Sequence, residues 1–535
     1  MGLSPSAHVD TFSRDNLPPE SSWPELLFTL PELAYPDRLN CAEALLDDVA
    51  ARLGRDRPCL VTDAETWTYG RLLDTANRVA ATLTGDHGVV PGNRVLLRGP
   101  NNPWLVACWL GVLKAGAVVV TTMPLLRSGE LAEIAEISKP GLALCDARFA
   151  DDLVKADVPG LRVVTYGDGE LDTAVAAHEP VFTNARTAAD DVALIAFTSG
   201  STGRPKATMH FHRDVLANAD TFSRYVLRPR PDDVFLGSAP LAFTFGLGMS
   251  VVFPLHVGAA TVLVEKATPG ELAESAHRHG VTVLATAPTA YRAILAGGHT
   301  DLLRALRRCV SAGETLPASV SDAFHDATGI RIIDGIGATE MLHIFVSAAD
   351  DDIRPGATGK AVPGYVAAVL DDDGKPVPDG EPGHLAVKGP TGCRYLADPR
   401  QAEYVRHGWN YTGDTYVRDA DGYFWYQARS DDMIVSAGYN IAGPEVENAL
   451  LAHPDVVECG VVAAPDEARG SIVKAYVVLR DGVSGDDAER AALQDFVKSQ
   501  IAPYKYPRAV EFVEALPRTS TGKLQRFQLR ERSRP

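Results

Sequence analysis

Nine consecutive residues, Thr198-Ser199-Gly200-Ser201-Thr202-Gly203-Arg204-Pro205-Lys206, have the make-up of an anion-binding loop. The glycines let backbone N–H groups turn inward, the hydroxyl side chains add donors, and Arg204 and Lys206 bring positive charge; together these suit a polyphosphate. The loop directly follows Val192-Ala193-Leu194-Ile195-Ala196-Phe197, an apolar run that reads as a buried strand. It is not a Walker A loop, because that pattern puts lysine straight after its second glycine, and here Arg204 and Pro205 intervene. A flexible Ser/Gly connector would share the composition, but it needs neither a strand before it nor a Pro-Lys end.

Two further stretches carry acids where a nucleotide would need them. Asp334-Gly335-Ile336-Gly337-Ala338-Thr339-Glu340 follows the strand-like Arg331-Ile332-Ile333, so Glu340 stands at a strand exit. A carboxylate beside phosphates suggests Mg²⁺, whereas an isolated Glu would more simply cap the next helix. In Tyr411-Thr412-Gly413-Asp414, the Asp414 carboxylate can accept from two neighbouring hydroxyls of a sugar at once.

The elements that must position these groups follow from the hydrophobic pattern. Short apolar runs alternate with amphipathic stretches from about residue 58 to 333, which predicts α/β layers around largely parallel sheets. After about residue 355, Val366 to Leu370, the turn Asp371-Asp372-Asp373-Gly374 and His384 to Val387 predict short strands and tight turns of a barrel-like unit. Beyond Arg429-Ser430-Asp431-Asp432 the chain suits a separate α+β domain of roughly 100 residues. There Val446, Ala449 and Leu450 stripe one helix, and Leu493, Phe496, Val497 and Ile501 a second. Residues 1 to about 40 are Pro-rich and are expected to wrap the surface.

Composition bounds the function. At 535 residues the chain exceeds what one core supports, so several domains are expected. The net charge of −18 argues against nucleic acid or an anionic membrane as partner, so a polyphosphate must meet a local basic patch. Seven cysteines without a C-x-x-C pair indicate neither a disulfide framework nor a zinc site, which fits a reducing, cytoplasmic setting. No signal peptide or membrane span is expected, since Lys114, Gly116, Pro254 and His256 break the longest apolar stretches.

The nonapeptide resembles the phosphate loop of the adenylate-forming enzymes, the superfamily of acyl-CoA synthetases, peptide-synthetase adenylation domains and firefly luciferase. Three more motifs agree in order: the Thr339-Glu340 segment, Asp414 with Arg429, and Pro517-Arg518-Thr519-Ser520-Thr521-Gly522-Lys523-Leu524. Within the superfamily, Gly335 to Phe345 and Ser436 to Glu445 are similar to benzoate-CoA and 2-aminobenzoate-CoA ligases. Ala428 departs from the pattern, where a glycine is usual before the arginine.

The resemblance implies an adenylation domain over 1–429, a hinge over 430–432 pivoting at Asp431, and a lid over 433–535. It implies that Thr198, Ser199, Gly200, Ser201, Thr202, Gly203 and Lys206 hold phosphates, and that Gly313, Glu314, Asp334 and Gly335 belong to the nucleotide site. Thr339 would contact the α-phosphate, Glu340 would ligate Mg²⁺, and Asp414 with Arg429 would hold the ribose. Lys523 would enter the site for adenylation, while Gly438 and Tyr439 would line the coenzyme A entrance in a second pose. Phe243, Phe245, Gly337 and His343 would shape a flat, apolar acyl pocket; Phe245 as an ordinary core aromatic and His343 as an ordinary buried histidine read equally well. The implied activity is an ATP-dependent, AMP-forming aryl-CoA ligase for a benzoate, 2-aminobenzoate or salicylate-type acid. A rival hands the acyl group to a carrier-protein phosphopantetheine. A nucleotide-binding pseudoenzyme would lack charged site residues, and Lys206, Glu340, Asp414, Arg429 and Lys523 are all present. Ring substituents and oligomeric state, monomer or homodimer, stay open.

Overall fold

The computed structural model describes residues 2–533 apart from 199–204, 430–431, 437–438, 467–469, 502–504 and 519–523, and the backbone alone at 435, 439, 440 and 470. The alternating pattern becomes two largely parallel sheets. In the six-stranded sheet the order is Arg162–Tyr166, Leu142–Asp146, Arg94–Arg98, Val118–Thr122, Val192–Thr198 and Lys206–Phe211. The first five strands are parallel and the last turns back antiparallel on its neighbour. Every residue of Val118–Thr122 and Leu142–Asp146 is buried, as expected of parallel strands covered on both faces.

The nine-stranded sheet has six parallel strands at its centre: Pro58–Val61, Ala260–Val262, Val234–Gly237, Val283–Thr286, Arg308–Ser311 and Ile332–Gly337. Ile344–Ser347 folds back antiparallel on Ile332–Gly337, so the chain reverses just beyond that strand's end. One apolar cluster joins the two sheets, from Val95, Leu97 and Val119 through helices Tyr69–Gly85 and Pro103–Lys114 to Phe235 and Val283. Both helices start on side-chain caps. Thr68 accepts from the Arg71 amide, and Asn102 accepts from the Leu105 amide with Pro103 in the first turn.

After residue 355 an antiparallel sheet forms from Val366–Leu370, Pro382–Lys388 and Trp409–Arg418, with Val405–Arg406 and Phe424–Arg429 sharing the far edge of the long strand. The small C-terminal unit sets Val456–Asp466, Gly470–Leu479 and Ala509–Phe512 against helices Gly443–Leu451 and Asp487–Gln500. Val446, Leu450, Val461, Val473, Leu493 and Val497 fill its core. The second helix closes at Gln500, so Ile501 caps it rather than extending it. The Pro-rich N-terminus does run over the large domain, with the Val9 amide on the Pro91 carbonyl at 2.9 Å and a bridge from Leu26 to Gly389. Among the described residues no helix is long and apolar enough to cross a membrane, and all seven cysteines are unpaired and buried.

Candidate active site

Thr198 and Lys206 face each other in the antiparallel register and so mark the two ends of the phosphate-loop candidate. Side chains alternate along a strand, so Lys206, Thr208 and His210 share one face. The segment Cys393 to Leu396 pairs beside that strand. The Met209 amide donates to the Arg394 carbonyl at 2.8 Å, the Leu396 amide to the Ala207 carbonyl at 2.9 Å, and Thr208 bridges Tyr395. Lys206 is thereby a diagonal neighbour of Tyr395, and its ammonium lies 5.1 Å from the centroid of that ring.

The same face meets the Thr339 to Met341 turn, which closes right after strand Ile332–Gly337. His210 Nε2 donates to the Thr339 carbonyl at 2.8 Å, and the Tyr395 hydroxyl donates to Glu340 Oε1. Thr391 Oγ1 donates to the Met341 carbonyl at 2.9 Å. Behind His210, fully buried Asp214 and Arg394 pair at 2.8 Å. Burial pushes the His210 pKa down to about 4, so the ring is neutral and its proton sits on Nε2. Glu340 is only 6% exposed, a depth at which a carboxylate requires a partner.

The nucleotide candidates gather at the carboxyl ends of adjacent parallel strands, where open α/β sheets take ligands. Gly313 and Glu314 follow strand Arg308–Ser311, whose Ser311 is in register with Asp334 on the next strand. Burial pushes the Asp334 pKa up to about 7, and its Oδ1 is buried without a hydrogen-bond partner, a group open to a ligand. Glu314 lies 3.8 Å from Arg518 of the small domain. Asp414 and Arg429 are opposite each other in register and pair at 3.4 Å. The irregular step in strand Trp409–Arg418 just before Asp414 needs Gly413, which has φ +79°; a Cβ there would stand 3.0 Å from the Arg429 guanidinium.

His343 is 3% exposed and enclosed by Phe253, Phe222 and Phe245 at ring separations of 4.6, 5.3 and 5.6 Å. Burial drives its pKa down to about 3, so this ring is neutral as well. Gly337 lies flat against the next strand, since a Cβ would meet the His343 carbonyl at 2.7 Å; a Cβ on Gly335 would meet Ile344 at the same distance. These glycines therefore serve the chain reversal itself. Phe243 and Phe245 are half-buried at the start of the short helix Thr244–Leu247.

The family described as AMP-binding enzyme matches residues 46–395, and that described as AMP-binding enzyme C-terminal domain matches residues 445–523. The chain belongs to the AMP-binding enzymes. The benzoate–CoA ligase of Thauera aromatica is 37% identical over 521 residues, covering 94% of this AMP-binding enzyme and 98% of that relative. A solved anthranilate CoA ligase in complex with anthranoyl-AMP superposes with a TM-score of 0.89 at 33% identity, covering 94% of this chain and 99% of that one. A benzoate CoA ligase from Burkholderia xenovorans LB400 superposes with a TM-score of 0.85 at 32% identity, covering 92% and 100%. The fold is thus the mixed α/β architecture of adenylate-forming enzymes, with a large N-terminal and a small C-terminal domain.

Thus the structure of this AMP-binding enzyme brings Lys206, Thr339 and Glu340 together, and separately Asp414 with Arg429 and His343 with Phe245. Ser199, Gly200, Ser201, Thr202, Gly203, Asp431, Gly438 and Lys523 lie outside the described residues, as does the Tyr439 side chain. Sequence reasoning passed over Tyr395, His210 and Thr391. Lys206-Ala207-Thr208-Met209-His210 does carry the two-residue alternation that would have put His210 on the lysine's face.

Proposed function

We propose that this AMP-binding enzyme is an ATP-dependent, AMP-forming aryl-CoA ligase acting on a benzoate-type acid. The observation that carries this is a strand end where the Thr339-Glu340 turn adjoins a cluster of aromatic rings. Phe222, Phe245 and Phe253 surround a neutral His343 three residues beyond Glu340. Phe243 and Phe245 stay half-buried at the edge of this cluster, and aromatic side chains next to anion-handling groups suit a planar aromatic carboxylate better than a flexible chain. Relatives matching nearly the whole chain are named for benzoate and anthranilate, which supports the same class.

In the first half-reaction a carboxylate oxygen of the acid bonds to the α-phosphorus of ATP and pyrophosphate leaves. In the second, the CoA thiolate attacks the acyl-adenylate carbonyl and AMP leaves. Lys206 and Thr198, with the loop between them, would hold the phosphates, while Asp414 would accept from both ribose hydroxyls beside Arg429. Lys523 would come in from the small domain to offset charge on the reacting oxygens. Glu340 fits a Mg²⁺ ligand, being a buried carboxylate whose Oε1 is met by a neutral hydroxyl rather than a cation. Bound there, Mg²⁺ would neutralise phosphate charge. Residues 1–429 would act as the adenylation domain, and Asp431 as the pivot of the lid.

The test is pyrophosphate release and CoA-thioester formation over benzoate, 2-aminobenzoate, salicylate and aliphatic acids. Aryl-dependent release coupled to thioester is expected, whereas turnover confined to aliphatic acids overturns the reading.

A further inference from the structure

We propose that Tyr395 is a positioning residue that keeps Lys206 and Glu340 from collapsing into an ion pair, so that both stay available to a magnesium nucleotide. The inference rests on the reading above, in which Lys206 meets phosphate and Glu340 meets the metal. Opposite charges held at the two ends of one phenol in a partly buried site attract each other, and the flexible lysine stem lets its ammonium move. Here the charges meet through the phenol. Its ring face takes the Lys206 ammonium, 5.1 Å from the centroid, and its hydroxyl donates to Glu340 Oε1.

The backbone builds this separation. Tyr395 bridges Thr208, which sets Lys206 two residues away on the same strand face and therefore over the ring. The carboxylate side is fixed independently. His210 holds the Thr339 carbonyl and Thr391 the Met341 carbonyl, so three consecutive residues of the turn are each gripped from a different segment or strand position. The grip has something to oppose: Leu342, the next residue, sits at φ +68°, a left-handed conformation unfavourable for leucine. Tyr395 is wholly buried, and its hydroxyl is directed to Glu340 Oε1.

The experiment measures binding without turnover. Mn²⁺ affinity is read by electron paramagnetic resonance in the presence of a non-hydrolysable ATP analogue, for wild type, Tyr395→Phe, Lys206→Met and the double variant. Tyr395→Phe keeps the ring and deletes the hydroxyl, and should weaken Mn²⁺ binding on the order of tenfold, the worth of a hydrogen bond to a charged group. With Lys206→Met there is no cation to capture Glu340, so adding Tyr395→Phe should cost under about threefold. An equal loss in both backgrounds marks Tyr395 as merely structural and overturns the proposal, as does unchanged affinity in Tyr395→Phe. If Tyr395→Phe does not fold, Tyr395→Leu takes its place in the same cycle. Wild type that binds no Mn²⁺ with the analogue sinks the underlying metal reading, a failure seen before any variant is compared.

Discussion

At the scale of single residues, the site depends on where charge is buried. Glu340 is nearly inaccessible, and Glu340→Gln removes one unit of charge while keeping an acceptor for the Tyr395 hydroxyl. Adenylation should fall about 10²-fold or more, as on deletion of one preorganised electrostatic group, and Mg²⁺ dependence should flatten. A magnesium titration of pyrophosphate release checks this, and an unaltered titration refutes the assignment. Three histidines are buried neutral: His210 with a pKa of about 4, and His212 and His343 with pKa values of about 3, all lowered by burial. Their unfolded value is about 6.5, so between that pH and their folded values the unfolded chain binds more protons. Stability is therefore full above pH 6.5 and falls on acidification, by about 1.4 kcal/mol per pH unit for each group. Asp334 works the other way, because its raised pKa of about 7 favours the folded state on acidification, and offsets roughly one of the three. The large domain should lose thermal stability steeply from pH 6.5 to 4.5, and His212→Gln should lessen the slope. A thermal midpoint that is flat over that range refutes this.

At the scale of elements, the Tyr411 to Asp414 stretch of strand Trp409–Arg418 shows how backbone and site are coupled. Gly413 takes a positive φ and leaves room for the Arg429 guanidinium, which a methyl would crowd at 3.0 Å. Gly413→Ala should cost about 1 kcal/mol of stability and raise KM for ATP several-fold through a displaced Arg429, with KM for CoA little changed. Equal changes in both KM values would separate this stretch from the nucleotide. Such elements were legible to different degrees. The buried parallel strands announced themselves as continuous apolar runs, and Pro103 and Pro444 stand in the first turns of their helices, where proline's missing N–H costs nothing. The acids and lysines could be nominated because their spacing carries a motif. Tyr395 could not be, because its work depends on a bridge to Thr208, nearly 190 residues away in sequence. No local pattern encodes that pairing. A Cβ on Gly335 would meet Ile344, and one on Gly337 the His343 carbonyl, at 2.7 Å, a packing constraint that likewise shows only in the fold.

At the scale of the whole molecule, the two domains meet through a short chain of charges. Arg292, on helix Pro288–Ala296 of the large domain, pairs at 3.4 Å with Glu458 of the small one; Glu458 also pairs with Arg518 at 3.1 Å, and Arg518 reaches Glu314 at 3.8 Å. These side chains are all partly solvated, so each pair contributes only about 0–1 kcal/mol, and salt weakens it. A contact of that strength can hold a pose without locking it, as a lid that must exchange between two half-reactions requires. Arg518 opens the segment that ends in Lys523, so the same contact that ties Arg518 to Glu314 would bring the lysine toward the phosphates. Lys523 lies about ninety residues beyond the proposed pivot at Asp431 and, on the proposed mechanism, would serve only the pose in which the small domain is turned inward. Lys523→Ala should therefore slow adenylation on the order of 10²-fold, by analogy with loss of a single oxyanion donor, yet leave thioester formation from supplied aryl-adenylate and CoA within a few-fold of wild type. The two half-reactions are measured separately, with acid plus ATP in one and synthetic adenylate plus CoA in the other. Equal loss in both would make Lys523 a structural residue and would remove the reason to have the domain move at all.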